Sequence, residues 1–89
     1  MPRQTKVVLR SLGFRLRELR RAKDLTQEKM AERVGMLTPN YARIEQGRAN
    51  VTVDTLVRLA NALVTTVADL FGAPSVRSVR PGRPRLNER

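Results

Sequence analysis

Apolar residues recur every three or four positions through the centre of the chain, which is the spacing of helices with one buried face. The first series predicts a helix near residues 7–23 with an apolar face of Val8, Leu9, Leu12, Leu16 and Leu19. Gly13 lies inside this helix and lowers its intrinsic helix propensity. No segment alternates polar and apolar residues for long, so strands are not expected.

Two short helices follow, and each is bounded by residues typical of helix ends. Thr26 is expected to cap the second helix, and Gly35 to end it in the left-handed conformation. Thr38 and Pro39 are expected to begin the third helix as its cap and first helical residue, and Gly47 to close it. The expected inward-facing residues are Met30, Ala31, Val34, Tyr41 and Ile44. Two such helices around a short turn predict a helix-turn-helix unit.

Two further helices are predicted after this unit. Thr52 is expected to cap the fourth helix, whose apolar face is Val53, Leu56, Leu59, Ala60 and Leu63. Thr66 is expected to cap a short fifth helix, in which the packing residues are Val67, Leu70 and Phe71. The predicted fold is therefore all-α, with five helices in one compact domain over residues 7–72.

The two ends of the chain differ in composition from this centre. Residues 1–6 are polar and basic and predict a flexible arm. Residues 73–89 hold three prolines and five arginines with few apolar groups, so a disordered basic tail is expected. The Gly-Arg-Pro centre of this tail, at residues 82–84, resembles an AT-hook, in which arginine lies in a narrow A·T minor groove. The alternative is a basic tail without a specific site.

Charge and composition narrow the function classes. The chain has 18 Lys and Arg against 8 Asp and Glu, a net charge of +10, which favours a polyanion as partner. No apolar run approaches the roughly 20 residues that span a bilayer, and no signal-peptide core is found, so no membrane partner and a cytoplasmic location are expected. Cysteine and histidine are absent from the sequence, so no enzyme, metal site or cofactor is expected.

Four segments together carry a resemblance to a known family. LTQEKMAERVG, NYARIEQGRAN, TLVRLANAL and VADLF resemble the phage-repressor-like (Xre-type) helix-turn-helix family, including its restriction–modification controllers. The resemblance covers residues 12–71 and implies a five-helix, lambda-repressor-like DNA-binding domain, typically dimeric, that regulates transcription. Three uses are compatible with it: a phage or host repressor, a controller of a restriction–modification operon, or an antitoxin that regulates its own operon.

The sequence departs from the family pattern at two positions. Val51 stands where a proline is common, and Val64 stands where a glycine often ends the fourth helix. A β-branched residue resists positive φ. The conformation of the corner between the fourth and fifth helices can therefore differ from that of the family.

In a helix-turn-helix unit the second helix enters the major groove, where its N-terminal part meets base edges. The residues in that position are Leu37, Thr38, Pro39, Asn40 and Arg43. Arg43 can bind a guanine edge bidentately, and Asn40 can bind adenine or a phosphate. Thr38 and Pro39 can contact a thymine methyl group. The alternatives are a purely capping Thr38 and a solvated Arg43.

Other residues are expected to position the domain on phosphates. Gln27 opens the second helix, and the matching glutamine of the family binds a phosphate and braces the third helix. A helix N-terminus also favours an anion. Arg48 and Asn50 follow the third helix and are expected on phosphates, although Asn50 can also make a local turn bond.

The resemblance also implies that Arg20 and Glu45 pair between the first and third helices. If the pair is partly buried, removing one partner strands the other charge and costs more than the pair contributes. Such a pair would set the pitch of the third helix indirectly. Lys6, Arg15 and Arg17 are equally compatible with phosphate contacts and with a solvated helix face.

The expected function is a sequence-specific transcriptional regulator that binds a palindromic operator as a homodimer, since a lone unit reads few base pairs. The dimer contact is expected around the fifth helix, at Val64, Val67, Leu70 and Phe71. The alternative for these side chains is closure of the protomer's own core. The alternative function is an antitoxin or interaction module that masks a protein partner. The tails offer such a partner only Val76, Val79 and Leu86 as apolar anchors.

Overall fold

The computed structural model describes residues 3–72, which form five α-helices and no strand. The helices are α1 (Arg3–Ala22), α2 (Gln27–Val34), α3 (Thr38–Glu45), α4 (Val53–Ala62) and α5 (Val67–Leu70). The expected all-α, five-helix fold is confirmed. None of these five helices has the length and apolar character to cross a bilayer. The predicted basic tail, with its AT-hook-like segment, lies outside the described residues.

Short polar side chains and a glycine set the helix ends that the sequence predicts. The hydroxyl oxygens of Thr26, Thr52 and Thr66 each accept the backbone N–H three residues further on, at 3.0–3.1 Å. Each bond satisfies one N–H that lacks a partner within the helix and contributes about 1 kcal/mol. Gly35 ends α2 at a φ of 81°.

Two helix starts lie earlier than predicted. Helix α1 begins at Arg3, so residues 3–6 of the predicted arm are helical. They contain no glycine or proline, and extending an existing helix is far easier than nucleating one. Thr38 is the first residue of α3 and not its cap, because the carbonyl of Leu37 already accepts the N–H groups of Asn40 and Tyr41.

One apolar core lies between the helices, and every helix contributes to it. Its largest fully buried side chains are Leu12, Leu16, Met30, Tyr41, Leu59, Leu63 and Leu70. Helix α1 packs on α3 and α5, α2 packs on α3 and α4, and α4 packs on α5. Val8 and Val53, predicted on apolar faces, are exposed, because Val53 opens α4 outside the core and Val8 lies at the edge of the buried face of α1.

Two glycines allow the C-terminal end of α3 to lie directly on α1. A Cβ atom at Gly13 would lie 2.2 Å from the carbonyl oxygen of Glu45 and 2.9 Å from that of Ile44. A Cβ atom at Gly47, whose φ is 72°, would lie 2.8 Å from the Cα of Arg10. The glycine that weakens α1 as an isolated helix is therefore needed for its contact with α3.

The corner between α4 and α5 contains a left-handed residue although it is not glycine. Val64 has a φ of 54°, and its side chain is 80% exposed. The N–H of Val64 donates to the carbonyl of Asn61 at 3.1 Å, and the N–H of Thr65 donates to that of Ala60 at 2.9 Å. These bonds hold a conformation that costs an ordinary residue about 1–2 kcal/mol. The valine therefore does not prevent this turn.

Replacing Gly13 by alanine tests the close contact of α1 and α3. Alanine favours a helix over glycine by about 1 kcal/mol, yet we expect Gly13→Ala to lower the free energy of unfolding by about 1–3 kcal/mol. The reason is that the added methyl group meets the backbone of Glu45 and not a flexible side chain. Urea unfolding measures the difference.

Ser11→Ala is the matched control, because Ser11 is exposed on the same helix. It should raise the free energy of unfolding by a few tenths of a kcal/mol, since alanine has the higher helix propensity. A Gly13→Ala protein that is also stabilised would show that α1 and α3 do not touch at this point.

Candidate nucleic-acid interface

A buried carboxylate joins α3 to α1. The Glu45 side chain is fully buried at the end of α3. The Nε of Arg20 donates to its Oε2 at 2.6 Å, and the Nη2 of Arg20 donates to its Oε1 at 3.1 Å. This two-point geometry fixes the plane of the carboxylate as well as its distance from α1. The structure thus brings together the two residues that the family resemblance pairs.

Two further donors extend this contact to α2 and along α3. The Nε2 of Gln27, the first residue of α2, donates to Glu45 Oε1 at 3.0 Å. The hydroxyl of Tyr41 donates to Glu45 Oε2 from one turn earlier in α3. Sequence reasoning placed Tyr41 only in the core. Its signal was the four-residue spacing to Glu45, since a buried tyrosine hydroxyl needs a hydrogen-bond partner.

The network keeps its members in definite protonation states. Burial alone would raise the pKa of Glu45, but the hydrogen bonds from Arg20, Tyr41 and Gln27 outweigh it and hold that pKa below its ordinary value. The hydrogen bond to Glu45 raises the pKa of Arg20. Burial, followed by the hydrogen bond to Glu45, raises the pKa of Tyr41. At neutral pH the carboxylate and guanidinium are charged and the phenol is protonated.

The opposite side of α3 is open to solvent. Tyr41, Ile44 and Glu45 anchor one side, while the exposed side begins at Leu37, which is 70% exposed. The other exposed residues are Pro39, Asn40 and Arg43, and Thr38 is half-buried. The five residues expected to meet base edges therefore lie at the start and along the outer side of this helix.

Arg43 makes hydrogen bonds with the loop after α3. The Nη2 of Arg43 donates to the carbonyl of Arg48 at 3.3 Å, and the N–H of Arg48 donates back to the carbonyl of Arg43 at 2.9 Å. A guanidinium has five N–H groups, so this bond leaves enough of them to bind another planar acceptor pair. Asn40, Arg43 and Asn50 line the rim of an open groove of about 230 Å³ between α3 and the start of α4.

The sequence left three cations of α1 open between phosphate contacts and a solvated helix face, and their surroundings differ. Arg15 holds α5, because its Nε donates to the carbonyl of Asp69 at 2.9 Å, and it pairs with Glu18 at 2.8 Å. Arg17 is 37% exposed, with its Nε 3.7 Å from Glu45 Oε1. Lys6 is exposed. Arg15 is therefore engaged within the fold, Arg17 is partly exposed and forms a long ion pair with Glu45, and Lys6 faces solvent.

Comparison with known proteins places this architecture in a family. The family model of a helix-turn-helix domain matches residues 11–71. The HTH-type transcriptional regulator y4dJ of Sinorhizobium fredii is 41% identical over 59 residues, which cover 66% of this chain and 77% of that protein. The control protein C.MunI of Mycoplasma sp. is 35% identical over 60 residues, which cover 66% of this chain and 81% of that protein.

A solved structure agrees with these sequence matches. The restriction-modification controller protein C.AhdI from Aeromonas hydrophila superposes with a TM-score of 0.69 at 40% identity, over 71% of this chain and 96% of that one. The resemblance inferred from the four sequence segments is thus confirmed. The chain belongs to the helix-turn-helix family of transcriptional regulators, of the phage-repressor-like (Xre) type.

Proposed function

We propose that this protein is a sequence-specific transcriptional regulator that binds a palindromic operator as a homodimer through α3. The observation that carries the proposal is the two-sided character of α3, which is anchored by Glu45 and open along Asn40 and Arg43. A short helix held rigidly by one side and polar on the other suits entry into the major groove. The regulators among its relatives support this assignment.

Base edges are read from the exposed side of α3. Arg43 binds the O6 and N7 atoms of a guanine, and its bond to the carbonyl of Arg48 orients it before DNA arrives. Asn40 binds adenine or a phosphate. Leu37, Thr38 and Pro39 offer apolar groups to a thymine methyl, and Thr38 is available for this because it does not cap α3.

Phosphate contacts position the domain without reading sequence. Gln27 stands at the N-terminus of α2, where free N–H groups and the helix dipole favour an anion, while its side chain braces Glu45. Arg48 and Asn50 are both exposed in the loop after α3. The same loop therefore contacts phosphate and orients Arg43.

The homodimer forms around α5 and the corner that precedes it. Leu70, which the sequence left open between this contact and the protomer's core, is fully buried in that core, and Val67 packs partly against it, because so short a helix must close the bundle. Val64 and Phe71 remain exposed, at 80% and 47%. A two-fold contact there is proposed to set the two copies of α3 about 34 Å apart, one turn of DNA.

Among the uses of such a regulator, control of a restriction–modification operon has the most direct support, from the similarity to C.AhdI. No observation within residues 3–72 favours the masking of a protein partner. The apolar anchors considered for that role, Val76, Val79 and Leu86, lie outside the described residues.

Selection of bound duplexes from a random pool should yield a palindromic site, and variants can then be tested on it. We expect Arg43→Ala to weaken the binding free energy for the selected site by about 1–3 kcal/mol and to relax the base preference at one base pair of each half-site. Arg48→Ala should weaken binding to all duplexes alike, because it removes a phosphate contact. Titration of single-base variants of the site measures both. A uniform loss for Arg43→Ala would show that it does not read a base.

The dimer contact is tested by two matched phenylalanines, Phe71 at 47% exposure and Phe14 on α1 at 56%. Phe71→Glu should shift sedimentation from dimer to monomer and weaken operator binding, because a carboxylate would be buried in the apolar contact. Phe14→Glu, on a different helix, should leave the dimer intact. A dimeric Phe71→Glu protein with full affinity would place the interface elsewhere.

A further inference from the structure

Helix α1 carries a row of cations that the proposed contacts do not use. Lys6, Arg10, Arg17 and Arg21 are spaced so that, at about 100° per residue, all four fall within about 60° of the helix circumference. We call these four residues the α1 stripe. It is about 22 Å long at the helical rise of about 1.5 Å per residue. Glu18, the acidic residue of α1, pairs with Arg15 outside this stripe.

Arg10, in the first half of the α1 stripe, touches the loop that follows α3. Gly47 packs so closely on α1 that a Cβ there would lie 2.8 Å from the Cα of Arg10 and 3.1 Å from its nitrogen. Arg48, the expected phosphate ligand, is the next residue of that loop. Within residues 3–72, the exposed Arg10 side chain makes neither a hydrogen bond nor an ion pair.

The second half of the α1 stripe reaches the start of α2. The Nε of Arg17 lies 3.7 Å from Glu45 Oε1, the same oxygen that accepts the Nε2 of Gln27 at 3.0 Å. Arg17 and Gln27 therefore flank one atom. Arg20 already makes a two-point contact with this carboxylate, so the two arginines together exceed its charge by one.

These placements put the backbone of Arg10 against the loop that carries Arg48, and Arg17 at the same Glu45 oxygen that Gln27 contacts. We infer that Arg10 and Arg17 bind phosphodiester groups of the DNA backbone, so that α1 continues the contact surface beyond α3 and its loop. The inference rests on the proposed function. Its chemistry is that of charge-assisted hydrogen bonds to phosphate, which add affinity and no base preference.

Two other arginines lie outside the inferred phosphate-binding surface. The Nη1 of Arg33 donates to the carbonyl of Ala62 at 3.3 Å, and Arg58 pairs with Asp54 at 3.0 Å. Both line the groove between α2 and α4, and Arg33 lies at the end of α2 opposite Gln27. Arg33 is therefore a matched control that carries the same charge outside the inferred contact surface.

The test is the salt dependence of binding to one duplex. Each phosphate contact that is lost should reduce the slope of log K against log salt by about 0.9 per bound protomer. We expect this reduction for Arg10→Gln and Arg17→Gln, and an unchanged slope for Arg33→Gln. Arg17→Lys should keep the wild-type slope because it keeps the charge. The slope counts released ions, so it does not respond to a merely smaller folded fraction, which thermal melting reports separately.

The outcomes separate this inference from the function on which it rests. Wild-type slopes for both Arg10→Gln and Arg17→Gln would overturn the inference while leaving selective binding by the wild-type protein intact. A reduction of the same size for Arg33→Gln would also overturn it, since only net charge would then matter. A wild-type protein that prefers no duplex would overturn the proposed function, and the inference with it.

Discussion

The carboxylate of Glu45 is the point on which the arrangement of the first three helices depends. It lies out of solvent, where an unpaired charge would be severely destabilising, and is kept ionised by donors from α1, α2 and α3. Arg20 contacts both carboxylate oxygens, Gln27 contacts Oε1 and Tyr41 contacts Oε2, so the network specifies orientation as well as proximity. A helix that reads DNA needs this, because its outer side chains must arrive at base edges in a fixed register.

Much of the fold could be predicted because its signals are local. Three threonine caps and the left-handed Gly35 act within one turn of chain, and each is found where the sequence indicates. Positions that depend on distant residues could not be predicted in this way. The role of Gly13 follows only from the backbone of Glu45, which is remote in sequence. The sequence left Leu70 open between the dimer contact and the protomer's own core, and it is buried because α5 closes the bundle against α1 and α4.

The candidate site likewise combines features that the sequence marks with features that depend on distant contacts. The family pattern marks the exposed residues of α3, and the structure brings them to one side of that helix. How they are held was not visible in the sequence, because the bond of Arg43 to the carbonyl of Arg48 depends on the path of the loop. The packing of Gly47 on Arg10 likewise joins that loop to α1. The buried network, the loop and the exposed side of α3 thus form one continuous unit, in which the positions of the proposed DNA-contacting residues follow from contacts on the buried side of that helix.

The acid dependence of stability tests most directly whether Glu45 holds this unit together. Its pKa is lower in the folded chain than its ordinary value of 4.5, so its contribution is complete above that pH and is lost as pH falls through the folded value. Urea unfolding between about pH 7 and about pH 2 should show Glu45→Gln to be less stable at neutral pH, by about 3–5 kcal/mol, and less sensitive to acid than the wild type. Tyr41→Phe, which removes one donor, should lie between them. Glu32→Gln, at an exposed carboxylate, should follow the wild-type curve. A Glu45→Gln protein that matches the wild type at neutral pH and declines in parallel with it would contradict the account.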